Sequence, residues 1–527
     1  MKRWISMLMI LAMLLGLAAC GGEIESVPPV EEENKTEVTT PADPAPDMPE
    51  EMPEEVPGAE PVLQLQRGDH CRVEQEETTH ELLCEVRWES LLLTPESAEH
   101  YPELADRLRI YSDKTYAVHV DMTEELAQLA RETLPEVDTF HGYTATTRHY
   151  IHRADDSILS IRIHADEYAG GAHPNYGTSA LNYDPATGEE IDLADVVGDL
   201  DLVKVMIADK VRYKYPYEEF DGLEEQLEEY NSRDFTWTLD HQGITFWFSP
   251  YEIAPYAAGA PSATITFAEL PRIFNEKYSS AADSWTVEMP LHQEVEIALQ
   301  GDKKEHCRLA GYEEDNGFLD LYLVVGEENE YRLEDIMAYD VEGYMAYTGE
   351  QFFLFVEGVA DSDYRTLYVY RLGADGPVLT DTVEGGFVGQ ICRGGGREQI
   401  RMKRVLTDPT HIELSSVVQL LGTWTGTKAY TFDPAAGTFA ADSEVYTIMA
   451  ERAIHTSAEI EVDIGGKTEK LPVGSELWML RTDGETYAEL RMTDGRACRI
   501  DLTRKEGQHY IGDIPEWECF DDLQYAG

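Results

Sequence analysis

Residues 170–197, with the sequence GGAHPNYGTSALNYDPATGEEIDLADVV, are the most informative stretch of this chain. It opens with Gly170 and Gly171, and glycine adopts positive φ without steric cost. The residues up to Tyr183 then alternate as the side chains of a β-strand do. Residues 184–188, DPATG, have turn chemistry, because proline presets φ and glycine closes the turn. The stretch therefore predicts a loop, a strand, a turn and the approach to a helix.

Four segments together carry a family resemblance. They are GGAHPNYG at 170–177, NYDPATGEEIDLADVV at 182–197, FWFSPYEIAPYAAGA at 246–260 and ITFAEL at 265–270. They resemble an extracytoplasmic domain of unknown function that is shared by the lysozyme-sensing anti-sigma factor RsiV and the peptidoglycan deacetylase PdaC. The resemblance implies an α+β domain on the outer side of a membrane. Because one domain can serve several activities, it implies fold and location rather than function.

The start of the chain predicts export and anchoring. In the predicted lipoprotein signal peptide, residues 1–19, Lys2 and Arg3 precede an apolar run that is too short to cross a ~30 Å hydrocarbon core. Residues 17–20, LAAC, have the form of a bacterial lipobox, so we expect a lipid on Cys20 that attaches the protein to the outer face of the cell membrane. The alternative is an ordinary signal peptide with a chance cysteine. Residues 20–61 are acidic and proline-rich, which predicts a disordered tether.

The remaining chain is long enough for roughly two to four domains. We predict an RsiV/PdaC-like α+β domain at 62–276, followed by a polar linker up to residue 288 and a mostly-β C-terminal region. We divide that region into a β-rich domain at 289–455 and a small β-barrel-like domain at 456–527. Our hypothesis for the small domain is an SH3-like barrel. Repeated glycine turns between short alternating strands are the basis for the β assignment.

Hydrophobic periodicity predicts the elements of the first domain. A hairpin is expected from strands 147–152 and 158–165, with Leu159, Ile161 and Ile163 facing the core and Ser160, Arg162 and His164 facing outward. The other expected elements are strands at 70–73, 82–88, 117–120 and 263–267, a hairpin of 235–239 with 244–248, and helices at 123–134, 201–213, 223–230 and 268–274.

The charge of the chain excludes one class of partner and favours another. The chain has 102 Asp and Glu against 41 Lys and Arg, a formal net charge of −61. Nucleic-acid binding is excluded, since phosphate contacts need a basic surface. A cationic partner or bound cations are electrostatically favoured. The alternative is an acidic surface that only keeps an exported protein soluble.

Six cysteines remain after Cys20, an even number in an oxidising location. We predict a local disulfide between Cys71 and Cys84, because a short hairpin brings two strands within bridging distance. A second predicted pair is Cys498 with Cys519, and Cys307 with Cys392 is left by elimination. No CxxC spacing occurs, so a zinc site is not expected.

No enzyme signature is present in the sequence. It lacks GxSxG, HExxH and Walker A patterns, and Phe520-Asp521-Asp522 matches only part of the deacetylase TFDD motif. Five histidines lie between positions 141 and 173, but His149, His152 and His164 have no acidic partner at a recognisable spacing, so we interpret them as surface residues. We therefore predict no enzymatic activity, no metal and no cofactor.

Two loops form the predicted ligand-binding surface. The first contributes Gly170, Gly171, His173, Asn175 and Tyr176, and the second, residues 249–259, contributes Tyr251 and Tyr256. Tyrosine offers contact area at low entropic cost. The alternatives are that His173 only orders its loop and that the two tyrosines only cover the domain edge. We expect a cell-envelope binding or sensing protein whose ligand is a cationic protein such as lysozyme, as the resemblance suggests, a peptidoglycan fragment or a partner membrane protein. The competing hypotheses are a hydrolase with an unrecognised carboxylate site and a structural spacer without ligand.

Overall fold

The computed structural model describes residues 63–525, apart from positions 137–138, 281, 302, 327–328, 350, 362–363, 388, 394–397, 451 and 506. The predicted signal peptide, Cys20 and the tether lie outside the described residues. Between residues 63 and 525, no described helix combines the length and the apolar character needed to cross a bilayer. The described chain divides into two compact units, one of residues 63–416 and 427–443 and the other of residues 417–426 and 444–525.

The first unit begins with an α+β region. Its strands are β1 Leu65–Gln75, β2 Leu82–Leu93, β3 Tyr143–Ala154, β4 Leu159–Tyr168, β5 Asn175–Tyr183, β6 Thr236–Leu239, β7 Gly243–Trp247 and β8 Ser262–Thr266. Its helices are α1 Pro95–His100, α2 Pro102–Thr133, α3 Leu193–Val196, α4 Leu200–Lys214, α5 Leu223–Glu229 and α6 Glu276–Ser279. Short 3-10 helices occur at Leu134–Glu136 and Tyr256–Ala258.

The chain after this region is almost entirely β. The next strands are β9 Ser284–Met289, β10 Glu294–Ile297, β11 Glu305–Glu313, β12 Leu319–Val325, β13 Asn329–Leu333, β14 Asp340–Thr348, β15 Gln351–Val359, β16 Arg365–Gly373, β17 Gly376–Glu384, β18 Gly386–Phe387, β19 Gly389–Arg393, β20 Glu398–Val405, β21 His411–Gln419, β22 Thr423–Asp433 and β23 Thr438–Ala441. They are followed by β24 Tyr446–Ile448, β25 Ile454–Thr456, β26 Ile460–Ile464, β27 Lys467–Leu471, β28 Glu476–Thr482, β29 Tyr487–Met492, β30 Ala497–Asp501, β31 Thr503–Lys505, β32 Gln508–Ile511, β33 Ile514–Pro515, helix α7 Glu516–Cys519 and β34 Phe520–Asp521.

The first unit is built around a seven-stranded sheet with the order β19-β20-β1-β2-β3-β4-β5. Strands β2 and β3 pair in parallel, and the long helix α2 supplies the crossover that this pairing requires. We predicted a strand at 117–120 and a helix at 123–134. The strand prediction was wrong, and the predicted helix is only the end of a longer one, because residues 102–133 form one helix. The buried residues of this helix recur at helical spacing from Leu104 to Ala130. The polar residues Thr115 and His119 lie in the middle of the buried face and interrupt the hydrophobic periodicity of the sequence.

A second, three-stranded sheet with the order β6-β7-β8 covers part of the other face of the first sheet. The hairpin of β3 and β4 was predicted correctly, and Leu159, Ile161 and Ile163 are buried. Ser160, however, was expected to face solvent and is fully buried. Its hydroxyl donates to Asn182 Oδ1 over 2.6 Å and accepts from the Leu239 backbone N–H over 2.9 Å. The outward prediction failed because, although the strands of the second sheet were expected, their packing on this face of β4 was not.

The boundary after the first domain also differs from the prediction. The expected helix at 268–274 is a series of turns, and the expected linker contains α6 and most of β9. Strand β9 pairs with β14 in a five-stranded sheet, β17-β16-β15-β14-β9. Strand β20 pairs with β1 from Leu65 opposite Val405. Residues from the predicted β-rich domain therefore complete the first sheet, and the two regions are one compact unit.

The predicted disulfides do not match the positions of the thiols. Cys71 lies opposite Arg87 and Cys84 lies opposite Glu74, so the register places the two cysteines three residues out of step. Both are free thiols, as are Cys307, Cys498 and Cys519. The side chain of Cys392 lies outside the described residues. The hairpin prediction was right, but pairing in the hairpin does not bring these two residues opposite each other.

The second unit has its own β core. Strands β24, β28, β29, β30, β26 and β27 are neighbours in that order, and β25 pairs with both β28 and β34. Leu477, Leu490 and Ile500 are fully buried between them. The short alternating strands that the repeated glycine turns predicted for this region are therefore confirmed at β28, β29 and β30. An SH3-like closure of this sheet stays a prediction.

Candidate ligand-binding surface

The first candidate loop is the connection between β4 and β5. The two strands pair in regular antiparallel register up to Glu167 opposite Asn175, so the loop starts from a fixed base. Gly170 and Gly171 follow with φ of +83° and +119°, a region that favours glycine. The Tyr168 hydroxyl donates to the Gly171 carbonyl oxygen over 3.3 Å. The two glycines let the chain reverse and leave the loop exposed.

The second candidate loop is held by the carboxylate of Glu252. One Glu252 oxygen accepts from the Ser249 N–H over 2.8 Å, and the other accepts from the Tyr230 hydroxyl over 3.2 Å. Burial raises the pKa of this carboxyl. Between these anchors Tyr251 has a φ of +69°, a strained conformation for a bulky residue. The turn that fixes it includes a bond from the Tyr251 N–H to the Ala254 oxygen, 3.0 Å long.

The two loops contact each other directly. The Tyr256 hydroxyl donates to the Pro174 carbonyl oxygen over 2.7 Å. The ring of Tyr256 stacks on His173 with the centroids 3.9 Å apart and an interplanar angle of 24°. Below the rings, the Thr178 N–H donates to Ser249 Oγ over 3.1 Å. The structure thus brings together the two loops that the family resemblance predicted to meet.

Tyr256 is the centre of an aromatic group, which we call the loop surface and define as His173, Tyr176, Tyr251 and Tyr256. The rings of Tyr176 and Tyr251 lie 5.6 and 5.7 Å from that of Tyr256. Tyr251 is 60% exposed, His173 is exposed, and Tyr176 is half-buried. Burial, together with the neighbouring Tyr256, raises the pKa of Tyr176. The loop surface is therefore a partly open aromatic face with hydroxyl groups at its edge.

The remaining predicted residues support these rings. His173 Nδ1 lies 2.9 Å from the Pro174 oxygen, and its stacking on Tyr256 fits the alternative in which it orders the loop. Asn175 is half-buried in the first position of β5. Gly170 and Gly171 are exposed.

Two carboxyl groups lie at the base of the first loop, on opposite faces of β4. Glu167 is buried on the side of α2, and burial, with the charge of Glu125 as a second cause, raises its pKa to about 7. Asp166 lies opposite Tyr176, and burial raises its pKa as well. Because consecutive strand residues face opposite sides, the two carboxyls do not form a pair on one face.

The histidines differ from the surface residues that we predicted. His149 is buried, with its Nε2 2.7 Å from the Tyr111 hydroxyl. Its backbone oxygen accepts from Arg67 over 2.7 Å. His164 is half-buried with its ring 5.7 Å from Tyr176, so it adjoins the loop surface, and burial with nearby Arg162 lowers its pKa to about 4. The alternation of β4 placed His164 on the outward face of the strand in the prediction. The prediction did not place the first loop on that same face, so the contact of His164 with Tyr176 was missed. Within the described residues, no three His, Cys, Asp or Glu side chains are grouped as a metal site.

Comparison with known proteins adds a family assignment for one segment. Residues 204–268 match the family described as protein of unknown function (DUF3298). This segment runs from α4 to just past β8 and includes the second candidate loop. No curated protein matches the chain.

Two solved structures of that family are similar to part of the chain. One, from Bacteroides fragilis, is 19% identical, covers 40% of this chain and 94% of its own, and has a TM-score of 0.32. Another, from Pseudomonas aeruginosa PAO1, is 16% identical, covers 42% of this chain and 99% of its own, and has a TM-score of 0.28. By the family match alone, the chain contains at residues 204–268 a DUF3298 domain, a domain of unknown function.

Proposed function

We propose that this protein is a lipid-anchored, extracytoplasmic binding protein of the cell envelope whose ligand contacts the loop surface. The single observation that carries the proposal is the direct contact of two loops distant in sequence, which presents four aromatic side chains with different degrees of exposure. Aromatic residues dominate the binding energy of many interfaces because they bury a large area with few rotatable bonds.

The backbone of the second loop supports a functional role. A bulky residue with positive φ costs roughly 1–3 kcal/mol and persists only where the surroundings fix it. Tyr251 has this conformation and is nevertheless 60% exposed, so it contributes little to the core. The strain is understandable if the exposed ring is used in a contact with a ligand.

The charge of the chain supports a cationic ligand. With a formal net charge of −61, the protein attracts a positively charged protein over distances of about a Debye length. Lysozyme is the cationic ligand that we propose first, because the extracytoplasmic domain of RsiV, which the sequence resembles, senses it. A peptidoglycan fragment is the second candidate, because exposed tyrosine rings beside hydroxyl groups suit the flat faces of sugars.

Anchoring is the second part of the proposal. The lipobox ending in Cys20 would attach the protein to the outer face of the membrane, and the acidic tether after it would hold the folded part away from the bilayer. Cys20 and the tether lie outside the described residues, so this part rests on the sequence.

The test is calorimetric titration of a cationic lysozyme, and in parallel of a soluble peptidoglycan digest, into the full chain in mild detergent. We expect a triple variant, His173→Ala with Tyr251→Ala and Tyr256→Ala, to lower the affinity at least about tenfold, since each lost anchor costs on the order of 1–2 kcal/mol. Tyr217→Ala is the matched control, because Tyr217 is 96% exposed and lies outside both loops.

Salt dependence separates the two ligands. Binding of a cationic protein should weaken steeply between low and physiological salt, because screening removes the long-range attraction. Binding of a neutral glycan fragment should change little. Absence of binding to both ligands at low salt would remove the proposal, and full affinity in a folded triple variant would move the site elsewhere.

A further inference from the structure

Arg162 is a cation without a carboxylate partner in a strongly acidic chain. It lies in β4, opposite Tyr150 of β3 and Ala180 of β5. Within residues 63–525 no described carboxylate forms an ion pair with it, although Asp and Glu outnumber Lys and Arg by 102 to 41 in the sequence. Nearby Lys304, by contrast, is paired with Asp240. A half-buried arginine that the chain leaves unpaired is therefore a specific feature of this face of the sheet.

Two aromatic rings cover the guanidinium group. Its central carbon lies 4.5 Å from the centroid of Tyr150 and 4.4 Å from the centroid of Trp247. Such cation–π contacts occupy the faces of the planar group and leave its edge, which carries the N–H donors, for hydrogen bonds in the plane. Trp247 is held in turn, because its Nε1 donates to Thr238 Oγ1 over 2.9 Å. The rings orient the guanidinium without neutralising it.

The N–H donors at the edge of the guanidinium have few hydrogen-bond acceptors. Its only hydrogen bond within the described residues is a long one, 3.5 Å from Nη2 to Gln293 Oε1. The buried Nε has no partner there. Gln293 is oriented by its own amide, which donates to the Tyr150 hydroxyl over 2.5 Å. Burial lowers the pKa of Arg162, as expected for a cation that no anion stabilises.

No carboxyl group lies directly opposite Arg162 or next to it on the same face of β3, β4 and β5. Arg148 and His164 form the neighbouring cross-strand pair, and the charges of Arg162 and Lys304 both act on His152. The nearest carboxyl along the same strand face is Asp166, four residues away, which is about 13 Å at ~3.3 Å per residue. His164 lies between these positions and contacts Tyr176. A strip along β4 therefore leads from Arg162 towards the loop surface.

We propose that the edge of the Arg162 guanidinium binds a carboxylate group of a ligand that lies along β4. Guanidinium and carboxylate match in a planar, two-bond arrangement, and the carboxylate would accept from the two terminal nitrogens, of which Nη2 has only the long bond to Gln293. A carboxylate could come from an acidic sugar or from a peptide C-terminus, and both present the same planar anion. The inference concerns Arg162 alone and does not depend on whether lysozyme binds the loop surface.

The experiment is calorimetric titration of small probes into the full chain at millimolar concentration. The carboxylate probes are N-acetylmuramic acid and acetyl-D-alanyl-D-alanine, and their uncharged counterparts are N-acetylglucosamine and the same dipeptide with an amidated C-terminus. We expect at least one carboxylate probe to bind about tenfold or more tightly than its counterpart, and the probe that binds identifies the source.

Variants then assign the binding to Arg162. Arg162→Met should weaken the carboxylate probe about tenfold to a hundredfold, and Arg162→Lys should also weaken it, because lysine keeps the charge and loses the planar fork. Arg148→Met removes an exposed charge from the same face and should change the affinity less than about twofold. If Arg162→Met does not fold by circular dichroism, Arg162→Lys carries the test.

Three outcomes would overturn the proposal. The first is that neither carboxylate probe binds more tightly than its uncharged counterpart. The second is unchanged affinity in folded Arg162→Lys and Arg162→Met. The third is that inorganic phosphate binds more tightly than both carboxylates, which would assign the site to a different anion.

Discussion

Glu167 provides the sharpest prediction about the scaffold of the loop surface. It is 5% exposed, lies in β4 directly before the first loop, and pairs with Asn175 of β5. Burial raises its pKa from the ordinary 4.5 to about 7. The folded protein therefore holds a proton that the unfolded chain releases between pH 4.5 and pH 7. Stability should fall as the pH rises through this interval, because the unfolded state binds fewer protons there.

The magnitude follows from the difference between the two pKa values. A shift of one pKa unit corresponds to about 1.36 kcal/mol. The increase of the Glu167 pKa from 4.5 to about 7 therefore lowers the free energy of unfolding by roughly 3 kcal/mol above pH 7. Glu167→Gln keeps the shape of the protonated side chain and cannot ionise. It should raise the free energy of unfolding by up to about 3 kcal/mol at pH 8.5 and have little effect at pH 4.5.

The assay is urea unfolding at both pH values. At each urea concentration, the folded fraction of β4 is measured by pulse-labelling hydrogen exchange and mass spectrometry, with one common labelling pH for all samples. Glu124→Gln is the matched control, because Glu124 is an exposed carboxylate on α2 and should change stability by less than about 0.5 kcal/mol. Equal stability of the wild type and Glu167→Gln at pH 8.5, or a difference that does not depend on pH, would refute the argument.

Three further predictions concern the core, the thiols and the anchor. Arg67→Met should lower the free energy of unfolding of the first unit by about 3–5 kcal/mol in urea titrations, because Arg67 lies 2.8 Å from the buried carboxylate of Glu288. The double variant with Glu288→Gln should lose less stability than the sum of the losses in the two single variants. Ellman's reagent in urea should find at least five reactive thiols in the non-reduced protein, and fewer would contradict the free cysteines. Cys20→Ala should abolish labelling with a radioactive fatty acid and release the protein from the membrane fraction; unchanged labelling would rule out the lipobox.

The loops could be predicted because their signals are local. The glycine pair at 170–171 and the alternation of β5 lie within one short stretch, and both depend on backbone conformation that neighbouring residues decide. The meeting of the two loops was predicted from the resemblance, since no pattern in the sequence connects Tyr256 with Pro174.

Other features could not be predicted because distant residues determine them. Ser160 is buried by a sheet that begins at Thr236, and the strand beside β1 comes from residues 398–405. Helix α2 was divided in the prediction because polar residues lie on its buried face, among them His119, whose ring nitrogens lie 2.7 Å from the Thr115 oxygen and 2.8 Å from Thr147 Oγ1. The surroundings of Arg162 likewise combine residues from three separate parts of the chain.

The central claim is that the loops at 170–177 and 249–259 together form the ligand-binding surface. The most direct measurement is hydrogen–deuterium exchange with mass spectrometry on the full chain, with and without a saturating cationic lysozyme, and in parallel with a soluble peptidoglycan digest. The account predicts slower exchange in peptides covering both loops with one of these ligands, and loss of this protection when Tyr256 is replaced by alanine. Protection confined to other parts of the chain, or unchanged protection in Tyr256→Ala, would contradict it.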